Sequence, residues 1–373
     1  MDNLPVEVIG NILSQLGAAR DVVIASTSCQ KWREAWRNHL HSLLFDSSDW
    51  PLYHDFPLYR LEILITQTIF QTRGLQRLSI LMNDVDEFSA APVVAWLLYT
   101  RDSLRELYYN ARTIPSVNIL EKCGRHKLEV LALAHNSIIG VEPSYQRFPQ
   151  LRSLLLTSVS ISALDLSLLL NICPKLEVLK LINPDIVISD NHTTLELYST
   201  SLKDVYMDAI SMDKVILEGD HIEKLHLKDC TLEMFLLVGK GGLRIFRIDD
   251  VSVLHFDIDE VVDLEAVSVC FPRLKHLSLS YERDSVLHYG LPGSSCLENV
   301  AVLELGWTVI NDLFIEWLSG LLERCPNLKK LIIYGAVSGA KTHDECNALA
   351  RFTSSIVQLM RIHSQVEVLF EFE

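Results

Sequence analysis

One phrase recurs along this chain and constrains its fold more than anything else: apolar, two others, apolar, one other, apolar. It reads Leu75-Leu78-Ile80, Leu104-Leu107-Tyr109, Leu128-Leu131-Leu133, Leu151-Leu154-Leu156 and Leu176-Leu179-Leu181. It continues as Leu202-Val205-Met207, Ile222-Leu225-Leu227 and Leu243-Phe246-Ile248, then Leu274-Leu277-Leu279, Val300-Leu303-Leu305 and Leu328-Leu331-Ile333. Residues two apart on a strand share a face. The second and third apolar residues of each phrase therefore point inward, and the residues between them point outward. One such strand cannot bury its apolar face alone, but a stack of them builds a parallel sheet over a continuous core. Four copies follow the same lead-in, Phe148-Pro-Gln-Leu151, Cys173-Pro-Lys-Leu176, Phe271-Pro-Arg-Leu274 and Cys325-Pro-Asn-Leu328. Proline favours an extended residue before it and donates no hydrogen bond, which suits a turn into a strand.

The copies are mostly 20 to 29 residues apart, the period of leucine-rich repeats. Between residues 200 and 260 a second rhythm enters, with Met212-Val215-Leu217, Leu232-Phe235-Leu237 and Val253-Phe256-Ile258 placed midway between the main copies. Units of ~20 residues hold two short strands and little else, so the return segments there are expected to be extended. The longer spacers, Ala91–Tyr99, Leu164–Asn171, Asn311–Glu323 and Asp344–Arg361, are expected to be helical. Leu264-Val267-Val269 also fits the phrase, yet the Phe271 lead-in follows at once, so residues 259–273 read as abbreviated.

Apolar residues make up 49% of the chain and the mean hydropathy is +0.21. No apolar run approaches the ~18 residues of a membrane span, so the excess is expected inside a repeat core. The opening Met-Asp-Asn lacks a basic and an apolar signal region, which predicts an intracellular protein, cytoplasmic or nuclear. A net charge of −15 argues against nucleic acid, which needs a basic stripe, and against an anionic membrane surface. The eight cysteines form no Cys-x-x-Cys and read as reduced thiols. Cys173 and Cys325 occupy one repeated slot and are expected to be small buried hydrophobes.

Residues 2–41 do not follow the phrase. Asp2 and Asn3 can cap, Pro5 suits a first turn, and Val8, Ile9, Ile12, Leu13 and Leu16 fall at helical spacing up to Gly17. A second helix is expected over Asp21–Cys29, and a third from Gln30 to about Leu43, with Trp32, Trp36 and Leu40 on one face. Three short helices bury too little to stand alone, so the rest of the burial must come from the repeats or from a partner. The run Leu4-Pro5-x-Glu7-Val8-Ile9-x-x-Ile12-Leu13-x-x-Leu16, followed by Val23-Ile24-Ala25-x-x-Ser28-Cys29-x-x-Trp32-Arg33, resembles an F-box. With its repeats the chain is similar to the plant-type F-box/LRR proteins. The resemblance implies an α/β chain, with a short three-helix F-box at 1–45 and a leucine-rich-repeat solenoid with a parallel concave sheet at 46–373.

The resemblance also implies a function. The F-box would dock on a Skp-type adaptor, and through it on a cullin-RING ubiquitin ligase, while the repeats hold a protein substrate. Leu4, Pro5, Val8, Ile9, Ile12 and Cys29 would touch the adaptor, and Leu13, Leu16 and Trp32 would be core. The alternative is a non-degradative interaction scaffold.

No catalytic constellation, cofactor or metal site is expected. Gly239, Gly241 and Gly242 lack the strand-to-helix setting and following Lys of a phosphate loop. Cys123 with His126, and His39 with His41, have loose ligand spacing but simpler structural explanations. The outward strand positions carry Arg77, Glu106, Asp204 and Lys330, and a set suited to holding a substrate: Tyr108, Tyr206, Lys224, His226, Arg247, His276 and Tyr334. Lys224, Lys228 and Arg247 lie close in register, but Asp204 and Asp208 beside them disfavour a polyphosphate.

Overall fold

The computed structural model describes residues 4–50, 52–82, 87–123, 126–142, 148–187, 194–239, 242–249, 251–253, 262–263, 271–280, 289–290, 296–306, 312–335 and 343–372. The chain divides into two compact units, residues 1–191 and 192–373.

The first unit begins with three helices: α1 (Val6–Leu16), α2 (Ala19–Ser26) and α3 (Gln30–His39). Ile9 and Leu13 on α1 are fully buried, as are Ala35 and most of Trp36 on α3. The helices α1 and α3 approach so closely at Gly10 that a Cβ there would collide with the side chain and carbonyl of His39. The chain then enters a strand, Ser42–Asp46, whose Leu43 and Phe45 are fully buried. Two further helices follow, α4 (Leu52–Asp55) and α5 (Leu58–Gln71).

Ser42–Asp46 is the first of six parallel strands, followed in order by Arg77–Leu81, Glu106–Asn110, Val130–Ala134, Ser153–Thr157 and Val178–Ile182. The register aligns Phe45, Ile80, Tyr109, Leu133, Leu156 and Leu181 in one inward row, and each is at most 1% exposed. The return segments carry helices at Ala90–Thr100 and Ala163–Asn171 and a short parallel sheet of Ser137–Ile138, Ser160–Ser162 and Asp185–Val187.

The second unit repeats the plan. Its main sheet runs Asp204–Asp208, Lys224–Lys228, Ile245–Asp249, His276–Ser280, Val302–Leu305, Lys330–Gly335 and Glu367–Phe372, all parallel. The extended returns expected between 200 and 260 form a second parallel sheet of Thr194–Tyr198, Ser211–Glu218, Thr231–Val238 and Ser252–Val253. The last two spacers are helical, at Asp312–Arg324 and His343–Ile362.

A turning device closes many of the strands. The residue after the strand is left-handed at His135, Ser158, Asn183, Ala209 and Asp229, with φ between 46° and 54°. Four of the five then donate their N–H to the end of the next strand: His135 to Thr157, Ser158 to Ile182, Ala209 to Lys228 and Asp229 to Asp249, at 2.8–3.0 Å. The left-handed residue thus turns the chain off the sheet while keeping its donor paired.

The second helix runs over Ala19–Ser26 rather than Asp21–Cys29, and three further points differ from the sequence reading. First, α3 stops at His39 rather than near Leu43, because Leu40-x-x-Leu43-x-Phe45 is itself a copy of the repeat phrase and pairs with Arg77–Leu81. Second, the chain adds an outermost strand, Glu367–Phe372, beside Lys330–Gly335. Third, Leu16 is 44% exposed rather than core. The abbreviated stretch expected at 259–273 lies largely outside the described residues; Ile245–Asp249 and His276–Ser280 on either side of it are direct neighbours in the sheet. No helix among the described residues is long and apolar enough to cross a membrane.

Candidate functional site

Two surfaces carry the residues singled out by the sequence. The first is the outer side of α1. Val8, Ile12 and Leu16 are spaced by four and so lie on one helix face, at 40%, 38% and 44% exposure. Leu4, one turn earlier, is half-buried, and Pro5 is exposed at the helix start. Ile9, expected among the contacts, does not share this face. It turns inward with Leu13 and is fully buried, because the Gly10 side of α1 packs on α3. Cys29 stands exposed immediately before α3, and Trp32, expected as core, is only half-buried.

The module that carries this stripe is fixed to the sheet. Ser14 Oγ accepts from the His41 N–H at 3.2 Å, and the Gly17 carbonyl accepts from Leu44 N–H at 3.1 Å. Trp36 Nε1 donates to Thr72 Oγ1 at 2.9 Å, and the Arg37 carbonyl accepts from Arg73 N–H at 2.9 Å. The burial that three short helices lack is supplied by the chain that follows them.

The second surface is the outer face of the second unit's sheet. Register places Tyr206, His226, Arg247, Ser278 and Glu304 in one row, with Asp204, Lys224 and His276 in the row on one side and Asp208, Lys228, Asp249 and Ser280 in the row on the other. Tyr206 donates to Asp208 at 2.8 Å, and its ring meets His226 edge-on at 4.8 Å. His226 Nε2 meets Asp249 at 2.5 Å. Glu304 receives His276 at 3.1 Å and Arg247 at 3.5 Å. The His276 contact is close but is not an aligned hydrogen bond.

The electrostatics follow from this arrangement. Burial raises the Asp249 carboxyl, but the hydrogen bond and charge of His226, with Ser280 and Arg247, outweigh it and leave its pKa below the ordinary value. The contact with His276 is the chief reason that Glu304 is also low, against the opposing effect of burial. Burial, then the bond to Asp208, pushes the Tyr206 phenol well up. Burial raises Tyr334 too, with Glu304 and Glu371 adding to it.

The structure thus brings Tyr206, His226, Arg247 and His276 into one web. Lys224 sits at its border, 3.9 Å from Asp204, while Tyr334 lies on the strand beyond Glu304. Tyr108 belongs to the first unit, beside Glu106, which Arg77 holds at 2.6 and 2.9 Å. The basic residues weighed for a polyphosphate are engaged: Lys224 by Asp204, Lys228 by Asp208 at 3.7 Å and Asp229 at 3.5 Å, Arg247 by Glu304. Glu304 and Asp249 organise the web and were missed by the sequence reading. Glu304 was visible as the odd residue in Leu303-Glu304-Leu305, but its partners depend on cross-strand register.

This face presents paired charges and aromatic edges. Among the described residues no group of three or more His, Cys, Asp or Glu is placed to hold a metal ion.

Two family profiles match parts of this chain. The F-box-like family profile matches residues 1–45, and the profile described as "FBD-associated F-box protein At5g56370, LRR repeats" matches residues 93–238. The F-box/LRR-repeat protein At1g67190 of Arabidopsis thaliana is 58% identical, with 100% of both chains covered. That alignment runs over 419 positions, 46 more than the 373 residues here, so the relative carries residues with no counterpart in this chain. The F-box protein At1g10780 of the same plant is 26% identical over 190 residues, covering 49% of this chain and 44% of its own.

Proposed function

This chain belongs to the F-box/LRR-repeat family, and from that premise we propose that it is a substrate receptor of an SCF-type ubiquitin ligase. In this reading residues 1–45 are the docking module and residues 46–373 the recognition part. Leu4, Pro5, Val8 and Ile12, with Leu16 added and Ile9 beneath them as support, meet a Skp-type adaptor. Cys29 contributes at the edge of that contact. The adaptor joins the chain to a cullin-RING ligase, and the outer face of the repeats holds a protein substrate. Tyr108, Tyr206, Lys224, His226, Arg247, His276 and Tyr334 are the residues assigned to that face.

The observation that carries the reading is the stripe on α1. Three large apolar side chains stay in water on a helix whose opposite face is fully packed. A desolvated apolar centre is where binding energy concentrates. The chain itself performs no chemistry in this reading and uses no cofactor. It raises the effective concentration of a substrate lysine near a conjugating enzyme held on the same scaffold. It works inside the cell, in the cytoplasm or the nucleus, without nucleic acid or a membrane.

The test is Ile12→Asp combined with Leu16→Asp, two exposed positions whose change leaves the core intact. Co-purification with a Skp-type adaptor should be lost while the thermal midpoint stays put. Unchanged co-purification refutes the reading. A rise in the abundance of a repeat-bound partner in cells carrying the variant separates a receptor from a scaffold, which leaves abundance unaltered.

A further inference from the structure

A groove of about 870 Å³ opens in the first unit, away from the α1 stripe. One wall is α5, which presents Arg60, Ile63, Leu64, Gln67 and Gln71. These positions share one helix face and span about 16 Å at the usual rise per residue. The other wall is α2 with the residue that follows it, through Val23, Ile24 and Thr27, above the buried Trp36, Phe45 and Tyr53. Ile24 and Ile63 stand 55% and 51% exposed, so both lips are apolar and wet.

The charge of this groove runs against the chain. The sequence holds 48 acidic residues against 33 basic ones. Yet Arg20, Arg33, Arg37 and Arg60 line the groove, and among the described residues no Asp or Glu does. Arg20 is partly spoken for, lying over the Trp50 ring at 5.4 Å and 3.9 Å from Asp21. Arg60 leans on the Tyr59 ring. Arg33 and Arg37 sit one turn apart on α3, exposed, and neither forms an ion pair among the described residues.

We propose that this groove seats an acidic amphipathic helix of a protein partner, its apolar stripe between Ile24 and Ile63 and its carboxylates on Arg33 and Arg37. Two helical walls with wet apolar lips are the setting in which a third helix lies down on its i, i+3, i+4 and i+7 anchors. The length along α5 suits three turns. The arginines select the sign of the charge at the edge of the helix, since Arg pairs carboxylates with two parallel bonds. None of Val8, Ile12 or Leu16 lines this groove, so the inference does not depend on adaptor docking at α1.

The probe is a fluorescein-labelled synthetic helix of about 16 residues with Leu and Ile anchors and Glu along both edges. Its twin carries Lys in place of Glu. Fluorescence anisotropy against the full chain should show binding of the Glu peptide and binding of the Lys peptide weaker by about tenfold or more, as two edge pairs would give. Arg33→Glu with Arg37→Glu should weaken the Glu peptide to a similar degree, as should Ile63→Asp, while Ile12→Asp on α1 leaves it unchanged. The proposal is overturned if the Glu peptide fails to bind, if the charge-reversed variant binds it equally, or if Ile12→Asp abolishes binding. Displacement by equimolar laurate would assign the groove to a small amphiphile and overturn it as well.

Discussion

The indole of Trp36 donates to the hydroxyl of Thr72 at 2.9 Å, with both residues buried and Thr72 wholly so. The Thr72 hydroxyl in turn donates to the Thr68 carbonyl at 2.9 Å, so one hydroxyl joins α3 to the end of α5. Thr72→Val keeps the shape and strands a buried N–H. The expected cost is about 1–3 kcal/mol, read as a lower urea midpoint. Adding Trp36→Phe should cost less than the two single changes summed, since the bond is already gone.

Ala209 occupies the left-handed turn after Asp204–Asp208 at φ 53°. That conformation is strained for any residue with a Cβ and free for glycine. Ala209→Gly should therefore stabilise the protein by about 1 kcal/mol. Ala209→Val should destabilise it, because a β-branched residue tolerates this region worst. Thermal unfolding of the pair, side by side, decides it.

Asp249 and Glu304 have folded pKa values below their ordinary ones. Groups shifted this way contribute stability that is fully present above the unfolded carboxylate pKa and lost as pH falls through the folded value. Stability should decline on the acid side of about pH 4. Asp249→Asn and Glu304→Gln should each lower stability at pH 7 and flatten the acid decline. Urea midpoints from pH 7 down to pH 3 test this, and an unflattened acid limb in both variants would refute the pairing.

Burial pushes the thiols of Cys173 and Cys325 up to about 12, and that of Cys230 to about 11. Thiolate is the reactive form, so these sites should resist alkylation at pH 8. Cys29 and Cys296 are exposed and should label first. Peptide mapping by mass spectrometry, with and without denaturant, distinguishes the two classes.

Much of this architecture was legible in the sequence because the repeat phrase encodes both the strand and its buried face. Leu154 and Leu156, or Leu277 and Leu279, need no partner to be recognised as inward. The first strand escaped because Leu40 belongs to two patterns at once, closing the Trp32-Trp36-Leu40 helical stripe and opening Leu40-x-x-Leu43-x-Phe45. The last strand escaped because, among the described residues, it pairs with one neighbouring strand alone, and its Phe370 is 39% exposed. The Glu304 web and the arginine groove were not legible for a different reason. Each gathers residues from separate elements, and only register or packing reveals that Arg247 meets Glu304 or that Arg33 and Arg60 line one groove.

Ser42–Asp46 shields one edge of the sheet, and the helices before it shield that strand in turn. A truncation that removes the first 41 residues, the common way to trap what such a chain captures, would unroof Leu43 and Phe45 along with the docking surface. The stump would expose sticky hydrophobic surface, and the proteins it collected would report on damage rather than on recognition. Bait for this chain is better made by changing two side chains on α1 than by cutting.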